Sequence, residues 1–208
     1  MSSSKLIRWS GMAALVGGLL LVIASILESV LFGTQPNSAA MASGSWIIVE
    51  VVFIAAEVLI ILGLVGLYVS QAEKAGNLGA IAFLVAFTGS VMVSGVDWSS
   101  AFMAPWLTDI TAPGVLDTEP TGAFIAGILL TFVLFSVGFF LFGLASLQTG
   151  VLPRGAAVLL MVGAVLFLVM GFLEIGFEGV VLGAALAWSG YALRSKAGEP
   201  TWVSEMAK

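Results

Sequence analysis

The 208-residue sequence contains no cysteine and no histidine. Without cysteine there is no disulfide, no thiolate nucleophile and no iron–sulfur cluster held by cysteines. Without histidine, histidine-ligated haem, His/Cys zinc sites and histidine general-base catalysis are excluded. We therefore expect no cofactor of these kinds, and any chemistry has to use carboxylates, hydroxyls, aromatic rings, methionine or a few cations.

Charged residues are also scarce, at 9% of the chain against 60% hydrophobic residues. A soluble domain carries roughly 25% charged residues, so this chain lacks the polar surface that a water-soluble globule needs. Its mean hydropathy of +1.16 predicts an integral membrane protein. The basic residues form no run longer than a pair, which gives no support to nucleic-acid binding.

Six long apolar segments predict an all-α bundle of six transmembrane helices in a single polytopic domain, residues 1–208. The predicted spans lie at about 11–32, 46–70, 78–104, 121–147, 155–174 and 177–194. Each segment is long enough to cross ~30 Å of hydrocarbon at a rise of ~1.5 Å per residue. A helix also satisfies its own backbone groups, which the bilayer requires.

The lysines and arginines predict the orientation of these spans. In the six-span arrangement all seven fall on one side: Lys5, Arg8, Lys74, Arg154, Arg194, Lys196 and Lys208. Cytoplasmic loops carry the excess of basic residues, so we expect both termini in the cytoplasm and the protein in the plasma membrane. As an alternative, Ala40-Met41-Ala42 after the first apolar run resembles a signal-peptide cleavage site, and cleavage would leave five spans.

The sequence also suggests three related two-helix hairpins. The first, third and fifth spans begin near a glycine and end near an acid: Gly11 and Glu28, Gly79 and Asp97, Gly155 and Glu174. A repeat of this kind predicts a bundle around a central axis, by analogy with repeat-built transporters. The alternative is chance, because apolar segments resemble one another easily.

Small residues on one face of the last span, Gly179, Gly183 and Ala187, allow another helix to approach closely. The partner helix would belong to a second copy of the chain, to another membrane subunit or, in the simplest interpretation, to the same chain.

Six acids lie in the spans or at their ends: Glu28, Glu50, Glu57, Asp97, Glu174 and Glu178. Glu57 is the deepest, because it follows Trp46 by about 11 residues, or about 16 Å of helix. It shares a helical face with Trp46, Glu50 and Phe53. That face should point into the bundle, because a carboxyl exposed to lipid at the bilayer centre costs ~2.5 kcal/mol or more.

No lysine or arginine lies inside a span to neutralise these acids, since Arg194 stands at the cytoplasmic end of the sixth. They must therefore be protonated, accept hydrogen bonds or hold a cation from outside. We interpret them as an outward-facing acidic cavity with Glu57 at its base, which binds a proton, a metal cation or an organic amine. The candidate lining residues are Ser25, Trp46, Ser90, Ser94 and Trp98. The alternative is that the shallow acids are hydrated at the interface and that Glu57 is a hydrogen-bonded structural residue.

Two functions are compatible with this pattern. The first is a non-catalytic component or subunit of a membrane complex, which suits a small chain with short loops. The second is a cation- or proton-coupled transporter or channel-like protein that uses the acidic cavity, although no span has a clear mid-membrane proline.

A membrane enzyme is the weaker alternative: Asp97 with Glu28 or Glu57 could form an acid/base pair, but no catalytic motif is present. A lipid- or pigment-binding role is a further alternative.

Overall fold

The computed structural model describes residues 3–112, 114–118, 121–173 and 175–196. Over these residues the fold is helical and contains no strand, which confirms the predicted all-α class. The helices are α1 (Ser3–Phe32), α2 (Asn37–Met41), α3 (Gly44–Ile110), α4 (Gly122–Thr149), α5 (Arg154–Phe172) and α6 (Glu178–Lys196), with a short 3-10 turn at Val115–Asp117.

Helix α3 is a hairpin of two antiparallel arms, residues 44–75 and 77–110. The backbone breaks at Gly76, with φ 52° and ψ −140°, a conformation that favours glycine. The rings of Tyr68 and Phe83 stack across the arms, with 4.5 Å between their centroids. Near the far end, the indole nitrogen of Trp46 lies 2.9 Å from the carbonyl oxygen of Ser100. In a straight helix these two residues would be about 80 Å apart.

Among the described residues, four helices are long and apolar enough to cross a membrane: α1 over Lys5–Phe32, α3, α4 and α5. The prediction of several membrane-crossing helices is therefore confirmed. Helix α3 counts once in this total although it has two arms, and α6 is not included. Six crossings stay a prediction.

The long helices pack in a ring that follows the order of the chain. Helix α1 packs against α3, α3 against α4, α4 against α5, and α5 against α6. The ring closes because α6 also packs against α1. This is the order that three hairpins around a central axis would have, and the internal repeat itself stays a prediction.

Small residues let α6 and α1 approach at backbone distance. A Cβ added to Gly183 would lie 2.7 Å from the carbonyl oxygen of Gly18, and Gly179 faces the side chains of Leu21 and Ser25. Ala187 is buried on the same face. The face formed by Gly179, Gly183 and Ala187 is thus packed against α1 in the chain, and its contact with a second copy or another subunit stays a prediction.

The helix ends that carry the described cations meet at one end of the bundle. The start of α1 contacts the end of α6, since a Cβ on Gly11 would lie 3.2 Å from the backbone nitrogen of Arg194. Near the Gly76 break, the side chain of Gln71 accepts a 2.8 Å hydrogen bond from Ser146 on α4. We call this the basic end; the charged side chains that mark it are Lys5, Arg8, Lys74, Arg154 and Arg194. The opposite end is called the acidic end.

At the acidic end, α2 is held to the 3-10 turn by Asp117. Its carboxylate accepts hydrogen bonds from the backbone nitrogen and the hydroxyl of Ser38, both 2.8 Å long. The backbone N–H of Ser38, then its hydroxyl, stabilise the charged carboxylate, so the pKa of Asp117 lies below its usual value. This contact joins two short elements in the loops between the long helices.

Candidate functional site

A cavity of about 130 Å³ lies inside the bundle near the acidic end. Its walls come from α1, both arms of α3, α4, α5 and α6. Five of the six predicted acids line it: Glu28, Glu50, Glu57, Asp97 and Glu178. The sixth predicted acid, Glu174, lies outside the described residues.

Each acid reaches the cavity because of its place on a helix. Glu50 and Glu57 are two turns apart on the first arm of α3, about 10 Å along the axis, and Asp97 faces them from the second arm. The start of α6 is fixed beside α1 by a 2.8 Å hydrogen bond from the backbone nitrogen of Phe177 to the hydroxyl of Ser29. This bond places Glu178 on the same side of the bundle as the cavity wall of α1.

Glu57 is the most deeply buried of the acids, with 1% of its surface exposed. Its Oε2 atom and the Oδ2 atom of Asp97 are buried and have no hydrogen-bond partner among the described residues. An unsatisfied buried polar group costs about 1–3 kcal/mol, and more when it is charged. These two oxygens therefore favour a positively charged group or a hydrogen-bond donor inside the cavity.

The predicted inward face of the first arm is confirmed, since Trp46, Glu50 and Glu57 are all buried and Phe53 packs against the core. Trp46 nevertheless does not line the cavity. Its ring meets that of Phe32 edge-on, with 5.2 Å between centroids. The Trp46 ring therefore packs against the end of α1, outside the lining of the cavity.

Of the five predicted lining residues, only Ser25 is part of the cavity wall. Ser90 is fully buried but lies about 10 Å deeper than Asp97 on the same arm, and Ser94 is half-buried outside the cavity. Trp98 is 52% exposed and tilts against Phe102. One residue along a helix turns the side chain by about 100°. Trp98 is turned away from the cavity in this way, whereas Val96, on the other side of Asp97, remains in the lining. The prediction that Ser90, Ser94 and Trp98 line the cavity is therefore corrected: all three lie outside the lining.

The structure adds lining residues that the sequence interpretation missed. Val93, Val96 and Ser100 line the cavity beside Asp97. Val93 and Ser100 lie four residues before and three residues after that acid, so helical spacing could have identified these two. Phe132 on α4 and Phe167 on α5 also line the cavity and contact each other, with ring centroids 5.7 Å apart. No local pattern marks these two, because their position depends on how the helices pack.

The cavity lining contains no lysine or arginine among the described residues. Like charges in a medium of low dielectric repel strongly, so the arrangement stabilises any added positive charge. Within the described part of the chain, no three Asp or Glu side chains converge closely enough to hold a metal ion. The acids are instead distributed along the cavity wall.

Comparisons of the chain with protein-family models, with curated proteins and with solved structures found no match. The interpretation of the cavity therefore depends on its own residues and geometry. The features that carry it are the burial of Glu57, the unpaired carboxyl oxygens and the concentration of acids without a counter-charge.

Proposed function

We propose that the protein crosses the membrane six times and binds a proton or a small cation in the acidic cavity, as a cation- or proton-coupled transporter or channel-like protein. One observation carries the proposal: Glu57 is almost fully buried, has an unpaired carboxyl oxygen and lines a cavity with four other acids. An intramembrane ionisable group that faces the inside of a bundle is a functional-site candidate by default.

Six crossings follow when the two arms of α3 are counted separately and α6 is added. Each arm exceeds the ~20 residues that one crossing needs. Helix α6 has 19 residues and packs against both α1 and α5, so these neighbours cover part of its surface. The cations at the basic end support a cytoplasmic location for that end and for both termini, in the plasma membrane. The acidic cavity then faces the outside.

The dimensions of the cavity restrict the ligand. A volume of about 130 Å³ holds about four waters at ~30 Å³ each. This volume suits a proton, a small hydrated cation or a small amine. The rings of Phe53, Phe132 and Phe167 also line the cavity, and aromatic faces attract cations that have lost part of their water shell.

The proposal is tested with purified protein reconstituted in liposomes that contain a pH-sensitive dye. We expect proton or cation flux, and a cation-dependent rise in the melting temperature of the detergent-purified protein. Glu57→Gln keeps the shape of the side chain but removes its ability to bind and release a proton, so both signals should be lost while the protein stays folded.

The matched control is Glu73→Gln, because Glu73 is an exposed acid on the same helix, near the basic end. This variant should retain both signals. Equal flux and equal thermal shift in Glu57→Gln and in the unsubstituted protein would contradict the proposal.

A second candidate is a non-catalytic component of a membrane complex. The specific observation in its favour is the packed core, where Phe135, Phe139 and Phe142 are fully buried and fill the bundle on α4. In a non-catalytic subunit the acids would contribute to packing within the bundle or to contacts with a partner protein. This candidate predicts no flux, no cation-dependent thermal shift and stoichiometric co-purification with another membrane protein.

A further inference from the structure

The basic end contains a second cavity, of about 360 Å³, that is distinct from the acidic one. It is lined by Lys5, Arg8, Trp9 and Met12 from α1 and by Arg194 from α6. The two helices meet here although these parts of the chain are far apart in sequence. Arg194 also contacts Met12, with 3.8 Å between Nη1 and Sδ. Three cations therefore face one space, and none of its described lining residues is an acid.

An apolar groove of about 400 Å³ adjoins this cavity on the outer surface of the bundle, between α1 and the first arm of α3. Its walls include Val16, Leu59, Leu62 and Val65. Trp9 and Met12 line both the groove and the basic cavity. The two spaces therefore adjoin at Trp9 and Met12, with cations lining one and aliphatic side chains lining the other.

We propose that these two spaces together form a binding site for an anionic phospholipid. Arginine and lysine recognise phosphate oxygens through charge-assisted hydrogen bonds, and basic pockets between transmembrane helices bind anionic headgroups. Trp9 is 70% exposed, and an indole ring is favoured at the level of the headgroups.

The groove identifies the ligand as a lipid and not as free phosphate. It continues from Trp9 to Val16, a distance of about 10 Å along the helix, in the direction that an acyl chain takes from its headgroup. Leu62 is 53% exposed and offers an aliphatic surface to that chain. A free phosphate ion would use the three cations and would leave this groove unoccupied.

The site is independent of the acidic cavity and of any transport activity. Native mass spectrometry of the full-length protein in detergent tests it, with phosphatidylglycerol and phosphatidylcholine of identical acyl chains as probes. We expect one phosphatidylglycerol to be retained in preference to phosphatidylcholine. In the double variant Arg8→Gln/Arg194→Gln the affinity for phosphatidylglycerol should fall roughly 30-fold, at about fivefold per lost cation.

Two matched variants separate the site from a general effect of charge or folding. Lys74→Gln removes an exposed cation at the same end but outside the cavity, so it should leave the affinity unchanged. Leu62→Trp fills the groove from a lipid-facing position and keeps all three cations, so it should weaken binding even if the double variant fails to fold.

Competition with inorganic phosphate distinguishes binding of a phospholipid from binding of a free phosphate ion. Phosphate at the same concentration as the lipid should not displace phosphatidylglycerol. The proposal is overturned if both lipids bind equally, if Lys74→Gln is as harmful as the double variant, if Leu62→Trp has no effect, or if phosphate alone competes as well as the lipid does.

Discussion

The indole N–H of Trp46 donates a 2.9 Å hydrogen bond to the backbone carbonyl of Ser100, and this bond joins the two arms of α3 at the acidic end. Ser100 lines the acidic cavity, and the Trp46 ring contacts Phe32 at the end of α1. The bond therefore fixes the distance between the arms where Glu50 and Asp97 face the same space.

Trp46→Phe should lower the free energy of unfolding by about 1 kcal/mol, because it removes one N–H donor and keeps most of the ring. Unfolding in a denaturing detergent mixture, followed by circular dichroism, measures the change. Trp98→Phe is the matched control, since Trp98 is 52% exposed on the other arm and its loss should have little effect. Equal destabilisation by the two substitutions would contradict the role assigned to the hydrogen bond.

Gly183→Val should destabilise the bundle by about 1–3 kcal/mol, because overpacking forces backbones apart. Already the first carbon of a new side chain would lie 2.7 Å from the carbonyl oxygen of Gly18. Thermal melting in detergent measures the loss. The control is Gly95→Ala, which places a carbon where no atom lies within 4 Å and should be neutral or stabilising. A neutral Gly183→Val would contradict the close packing of α6 on α1.

The contact of Asp117 with Ser38 should depend on pH. Its hydrogen bonds lower the pKa of Asp117 in the folded protein, so the contact is fully stabilising above the ordinary pKa of aspartate and is lost as pH falls through the lowered value. Asp117→Ala at neutral pH should reproduce the acidic state, with faster hydrogen exchange in Asn37–Met41. Asp109→Ala, at an exposed acid near the end of α3, should leave that exchange unchanged.

The absence of cysteine from the chain makes single introduced cysteines clean reporters of topology. A cysteine at Ser43 or Thr111, the residues that flank α3, should react with a membrane-impermeant maleimide added to intact cells. A cysteine at Asn77, beside the Gly76 break, or at Thr149, the end of α4, should react only after the membrane is permeabilised. The reverse pattern would invert the proposed orientation.

The sequence was sufficient for the class of fold and for the approximate position of each apolar segment, but helix ends differ. The prediction placed the third span at 78–104, whereas α3 continues through Pro105 to Ile110. The first span was placed at 11–32, whereas α1 begins at Ser3. Hydropathy marks where lipid contact ends, while backbone hydrogen bonds decide where the helix ends, and the two differ by several residues at polar helix termini.

The candidate site was predictable to the extent that it lies on single helical faces. The acids on α3 were expected to point inward because exposure of Glu57 to lipid would be costly. Trp98 lies outside the cavity because of the exact rotation of the second arm of α3 about its axis. Phe167 lies in the lining because α5 contacts α4. The basic cavity could not be predicted from the sequence for the same reason, since Arg8 and Arg194 meet only when α6 packs on α1.

The packing of α6 against α1 also determines when the linings of the two cavities become complete during synthesis. Helix α1 is synthesised before α6, and its glycine-lined surface stays uncovered until α6 packs against it. Glu28 meets Glu178, and Arg8 meets Arg194, only when α6 docks against α1. A nascent chain that stops before α6 therefore lacks Glu178 in the acidic cavity and Arg194 in the basic cavity, so one docking event completes both linings.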